Sequence, residues 1–244
     1  MATAIVIGGA RRLGKAIALS LANSGFDVGI TWKSNETASL ETQTELQELG
    51  VRTSAAYADV ANSAELTSAM DSLTATLGFP AVIVVNAGVF PEKTPVEMLN
   101  AEHLLQAVRV NTAPIVTVGS WYLTKAVESN NLGRLISIGS IGAVQIWHNR
   151  LPYNVSKAAL STAVASLARS CAPHIAVNAV APGMIIIPDE PSVNDAAAKP
   201  ASGIPMQRYG TVADVTEAVT WFAKATHYIT GQTIYVDGGL GLLS

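Results

Sequence analysis

Short apolar, β-branched runs alternate with longer stretches of helical periodicity along the whole chain. The runs are Ala4–Ile7, Asp27–Trp32, Arg52–Tyr57, Ala81–Val85, Arg134–Ile138, Ala176–Ala179 and Thr233–Val236. Most are apolar at successive positions rather than alternate ones, which suits strands covered on both faces. Between them the pattern predicts helices over Gly14–Asn23, Glu36–Leu49, Ala64–Leu77, Ala101–Glu128, Pro152–Ala172 and Val212–Ala223. Such alternation gives βαβ units with right-handed crossovers. The expected fold is therefore α/β, one Rossmann-type domain over residues 1–244 with a doubly wound parallel sheet. One segment breaks the rhythm. Residues 188–205 hold four prolines and little periodicity, as in a lid loop over a binding site.

Composition agrees with a large buried sheet. The 244 residues are 49% hydrophobic and 14% charged, and a chain of this length buries enough surface to fold without staples. The net charge is −3 and no basic stripe stands out, so no nucleic-acid partner is expected. The lone Cys171 allows no intrachain disulfide and fits a reducing compartment. No apolar run approaches the ~18 residues of a membrane span. The apolar start, Met1 to Ala10, lacks a basic leader and runs straight into Gly8-Gly9-Ala10-Arg11-Arg12. It reads as a first strand rather than a signal peptide, and a cytoplasmic location is expected. No metal site is expected.

The chemistry begins where the first strand meets the first helix, at Gly8-Gly9-Ala10-Arg11-Arg12-Leu13-Gly14. Glycines there allow a tight turn and close approach of a pyrophosphate, and the helix N-terminus offers free N–H groups. An ordinary glycine-rich turn would look the same. Arg12 stands at the usual middle glycine and adds a fixed positive charge. The end of the second strand discriminates cofactors: a carboxylate would bind the ribose 2′-hydroxyl of NAD, a cation the 2′-phosphate of NADP. Here the chain reads Thr31-Trp32-Lys33-Ser34-Asn35. Lys33, Ser34 and the nearby Arg11 favour NADP(H).

Tyr153 and Lys157 fall at i and i+4, on one face of a helix. A nearby ammonium favours a phenolate, which makes tyrosine a usable general acid or base. Ser140 follows the fifth strand, where a hydroxyl can bond a developing alkoxide. Asn111 is a polar residue in an apolar stretch, readable as a helix cap or a satisfied buried amide.

These pieces together resemble the short-chain dehydrogenase/reductase family over essentially the whole chain. The matching motifs are Gly8–Gly14, Asp59-Val60, Asn86-Ala87-Gly88, Asn111, Ser140, Tyr153 with Lys157, Pro182-Gly183, and Gly231-Gln232 leading to Val236-Asp237-Gly238-Gly239. The resemblance implies strand order 3-2-1-4-5-6-7 and a homotetramer, or a dimer. It assigns Tyr153 as proton donor and Lys157 as holder of the nicotinamide ribose. Ser140 would orient the carbonyl, and Asn111 would anchor a water of a proton relay. Leu13 and Gly14 would meet the phosphates, Asp59 and Val60 the adenine. Asn86, Ala87 and Gly88 would line the cofactor, while Pro182, Gly183 and Ile185 would face the nicotinamide.

Three departures bear on the substrate. Arg12 in the turn resembles the pteridine reductases, as does Ala181-Pro182-Gly183-Met184-Ile185-Ile186-Ile187-Pro188. Ser140 instead resembles the 3-oxoacyl-[acyl carrier protein] reductases. The expectation is an NADPH-dependent reductase of a ketone, of 3-oxoacyl or general type, with a dihydropterin as the alternative substrate. A non-catalytic dinucleotide sensor is the remote alternative. Phe90, Trp147, His148, Asn149, Met184 and Met206 are candidates for shaping substrate choice, and His148 reads equally well as a solvated loop residue.

Overall fold

The computed structural model describes residues 1–187 and 200–242. The elements run β1 (Ala2–Ile7), α1 (Arg12–Asn23), β2 (Phe26–Trp32), α2 (Glu36–Glu48), β3 (Thr53–Tyr57), α3 (Ser63–Leu77) and β4 (Pro80–Val85). There follow α4 (Ala101–Asn111), α5 (Ala113–Ser129), β5 (Gly133–Ile138), α6 (Leu151–Ser170), β6 (Ile175–Pro182), β7 (Ile185–Ile186), β8 (Gly210–Thr211), α7 (Val212–Lys224) and β9 (Thr233–Val236). Seven strands form one parallel sheet in the order β3-β2-β1-β4-β5-β6-β9. This is the expected order, with β9 as the seventh strand.

The alternating faces of each strand explain the near-continuous apolar runs. Ile5 and Ile7 of β1, with Ile83 and Val85 of β4, pack in one core against α3, α5 and α6. Their neighbours Ala4, Val6, Val82 and Val84 face a second core built on α1, α2 and α7. Both faces are thus covered, as a parallel sheet requires. Strand order reverses between β1 and β4, which opens a crevice at the carboxyl ends of these strands.

The structure corrects one expectation and adds one feature. The helix expected over Ala101–Glu128 is two helices, broken at Thr112 (φ −118°, ψ −49°). Pro114 is the cause: it has no N–H to give, and its ring would clash with the carbonyl four residues back. Second, β7 and β8 form a separate two-stranded ladder, Ile185 beside Gly210 and Ile186 beside Thr211. A two-residue ladder leaves no periodic trace in sequence. Of the expected lid over 188–205, residues 188–199 lie outside the described residues. Its described end carries a short turn at Ala201–Gly203.

Candidate functional site

Most of the residues singled out from sequence, but not Asn111, Asn149 or Met206, line one open cleft of about 1670 Å³. Its floor is the turn after β1. Gly8 has φ +76°, and a Cβ at Gly14 would lie 2.0 Å from the Gly8 carbonyl. The turn is fixed from both sides. Gly8 N–H donates to Thr31 Oγ1 at 2.9 Å, and Asn86 Nδ2 donates to the Gly8 carbonyl at 2.9 Å. No side chain caps the start of α1, and its first turn carries no acid. A helix start of this kind presents backbone N–H groups to the cleft that its first residues line. Arg12 is exposed and has φ +53°, a backbone region where L side chains are disfavoured and glycine is at ease.

Arg11, Leu13, Lys33, Ser34, Asp59 and Val60 line one end of the cleft, and Ala87, Gly88, Pro182, Gly183 and Ile185 its middle. Lys33 is already paired: its Nζ lies 2.6 Å from Asp59 Oδ2. The hydrogen bond raises the lysine pKa and lowers that of the carboxylate. Gly183 packs where a Cβ would sit 2.7 Å from the Asp237 side chain. The Asp237 carboxylate accepts from the amides of Gly239 (2.9 Å) and Gly241 (2.7 Å). The Val236–Gly239 motif is thus a turn support beneath the cleft.

Ser140, Tyr153 and Lys157 stand together on the far wall. Ser140 Oγ accepts from Gly142 N–H at 3.0 Å and lies beside the Tyr153 ring, both packed against Gly142. Burial raises the Tyr153 pKa, opposed by the neighbouring Ser140 hydroxyl and by the charge of Arg150. Lys157 is buried and donates to the Ile138 carbonyl at 3.0 Å. Burial pushes its pKa down to about 8, and its Nζ lies 6.0 Å from the Tyr153 ring centroid.

Asn111 lies one layer behind the wall. Its Nδ2 donates to the Val89 carbonyl (3.0 Å) and to Ser156 Oγ (2.9 Å), and its Oδ1 accepts from Val89 N–H (2.8 Å). The satisfied-amide reading therefore describes its side chain. Trp147 stacks on Tyr153 with centroids 5.7 Å apart and planes 11° off parallel. His148 is exposed at the rim, and Met184 lines the cleft. Met206 is exposed and is not among the lining residues. Sequence reasoning missed three side chains here. Thr31, a buried hydroxyl in an apolar strand, carried a signal. Ser156 and Arg150 carried none, because their partners come from other elements.

Residues 8–241 match the family model described as enoyl-(acyl carrier protein) reductase. The (S)-acetoin-forming diacetyl reductase of Staphylococcus epidermidis is 30% identical over 253 residues, covering 98% of each chain. This chain belongs to the short-chain dehydrogenase/reductase family. The crystal structure of acetoin dehydrogenase YohF from Salmonella typhimurium is also similar, with a TM-score of 0.89 at 32% identity. That match covers 100% of this chain and 97% of the other. An actinorhodin polyketide ketoreductase variant with NADPH gives a TM-score of 0.89 at 27% identity, over 98% of this chain and 97% of that one. As a short-chain dehydrogenase/reductase the chain is an oxidoreductase, and the family uses a nicotinamide cofactor. The residues present fit such a dinucleotide. Glycine at position 14 lets the start of α1 pack on the Gly8 carbonyl and Asn86, where a Cβ would clash, and that helix start, with no acid in its first turn, is chemically suited to a pyrophosphate.

Proposed function

We propose that this enzyme is an NADPH-dependent reductase of small ketones in which Tyr153 supplies the proton. The reading rests above all on one observation: Tyr153, beside Ser140 and one helical turn from Lys157, lines the same cleft as the glycine turn. The Gly8–Gly14 turn and the start of α1 would hold the pyrophosphate. Arg11, Lys33 and Ser34 would take the 2′-phosphate. Asp59 and Val60 would flank the adenine, with Asn86 to Gly88 and Pro182 to Ile185 along the rest of the dinucleotide. When bound, the cofactor supplies the hydride.

The chain's own part is to bind the carbonyl and deliver the proton. One Ser140 lone pair is taken by Gly142 N–H, which leaves the hydroxyl proton for the substrate oxygen. Tyr153 then gives its phenolic proton to that oxygen as negative charge develops there. Lys157 commits one N–H to the Ile138 carbonyl and keeps two for ribose hydroxyls. Asn111 would act from behind, holding Val89 and α6 in place.

Cofactor choice follows from charge. The tip of β2 offers Lys33 and Ser34 and no acid. Asp59 neutralises part of the Lys33 charge, so Arg11 and Ser34 carry more of the preference than lysine alone would. For the substrate, the similarity to a diacetyl reductase and an acetoin dehydrogenase makes a vicinal diketone the first candidate, and a 3-oxoacyl thioester the second. The dihydropterin alternative rests on Arg12 at the cleft. NADPH oxidation measured side by side with diacetyl, an acetoacetyl thioester and dihydrobiopterin tests the reading. Turnover of a ketone supports it; turnover of the pterin alone replaces it; turnover of none favours a sensor.

A further inference from the structure

Arg150 is a buried cation for which the reaction so far has no use. It precedes α6 and is 8% exposed. It makes no side-chain cap to that helix; instead it reaches across to the segment that follows β4. Its guanidinium carbon lies 4.0 Å from the centroid of the Phe90 ring, and its Nη1 donates to the Pro91 carbonyl. Phe90 in turn stands edge-on to Tyr153, centroids 4.6 Å apart at 87°. Trp147 is perpendicular to Phe90 at 5.9 Å and parallel to Tyr153. The phenol ring is thus confined by two aromatic neighbours, one of which lies under the guanidinium.

The segment that carries Phe90 is held at its ends by other groups. Asn111 clamps Val89 at one end, and Thr94 N–H donates to the Asn149 carbonyl at 2.9 Å at the other. Between these ends Arg150 ties it down. We propose that Arg150 is a positioning residue: by clamping Phe90 and Pro91 to the start of α6, it holds the Tyr153 phenol in one orientation toward the cleft. A helix start that needed only a cap would be served by serine or aspartate at no desolvation cost. The planar guanidinium can lie flat on a ring while donating from its edge, which an ammonium cannot do. The same fixed charge favours the phenolate. Among the described residues, the other charged or titratable groups that line the cleft away from the glycine turn and the tips of β2 and β3 are Lys157 on α6, His148 at the rim, Glu92 and Lys93 in the Phe90 segment, and Tyr209. The turn at Ile141–Ala143 brings none.

This inference rests on Tyr153 as proton donor, so Tyr153→Phe is run beside Arg150→Met and Arg150→Lys with NADPH and diacetyl. Arg150→Met should lower kcat roughly ten- to a hundredfold, as expected for a misplaced reacting group, with NADPH affinity unchanged. The alkaline limb of its kcat profile should move up by about one pH unit. Arg150→Lys should restore the limb but not the full rate. Combining Phe90→Leu with Arg150→Met should cost no more than the larger single change, because both act through one ring. A second readout needs no substrate: the phenolate absorbance that distinguishes wild type from Tyr153→Phe should appear at higher pH in Arg150→Met. Wild-type kcat and an unmoved limb in Arg150→Met would overturn the inference and leave Arg150 a packing residue. If Arg150→Met does not fold, a wild-type rate in Arg150→Lys overturns it instead. Full activity in Tyr153→Phe would instead bring down the proton-donor assignment itself.

Discussion

Arg12 holds a left-handed backbone (φ +53°) in the turn where glycine would fit without strain. Retaining an arginine there implies work for its side chain at the cleft. Arg12→Gly should leave stability unchanged or raise it by about 1 kcal/mol. It should also raise the KM for NADPH by the equivalent of about 1–2 kcal/mol of lost charge-assisted bonding. Urea unfolding together with steady-state kinetics checks this, and a less stable variant with an unaltered KM would contradict it. Lys157 gives a pH prediction. Its pKa is near 8 in the folded protein against 10.5 unfolded, so the unfolded chain binds more protons between those values. Folding stability contributed by this group therefore rises from pH 8 to 10.5, by up to about 3 kcal/mol. The stability difference between wild type and Lys157→Met should climb through that window. A flat difference would mean the ammonium is solvated. At this scale the glycine turn, Lys33, Ser140, Tyr153 and Lys157, all of which line the cleft, were legible because their chemistry is local. Arg150 and Ser156 were not, because their significance lies in partners 59 and 45 residues away.

Asn111 owes its position to the break between α4 and α5. Pro114 ends one helix and starts the next, and the side chain just before the break crosses to Val89 and Ser156. Both the proline and the polar position were visible in sequence. The pattern Ala101–Glu128 still reads as one helix, because the apolar spacing resumes after the break. Asn111→Ala removes the partner of the Val89 N–H and carbonyl and leaves Ser156 Oγ only its bond to the Tyr153 carbonyl. It should cost about 1–3 kcal/mol of stability, seen as a lower urea midpoint with an unchanged slope. A change under about 0.5 kcal/mol would show that water replaces the clamp.

For the whole molecule, alternation of strand and helix gave the α/β class, and the resemblance supplied the strand order. The β7–β8 ladder was not legible, because two residues cannot display a period. The sheet places every loop proposed to face the cofactor at the carboxyl ends of β1, β2, β3, β4, β5 and β6. Cofactor preference is therefore a property of several loops at once. Lys33→Asp should shift preference from NADPH toward NADH by setting like charge against the 2′-phosphate. Equal affinities of the wild type for the two cofactors, measured by fluorescence titration, would contradict the NADP assignment.

The proton donor is the centre of the account. In Tyr153→Phe the ring keeps its contacts with Phe90 and Trp147, so fold and NADPH binding should survive while only the hydroxyl is lost. The decisive measurement is turnover of that variant with NADPH and a ketone that the wild type reduces. A fall of about 10²–10⁴-fold with intact cofactor binding is predicted. A variant that keeps more than about half of the wild-type rate, where positioned acid catalysis should have been lost, would contradict it.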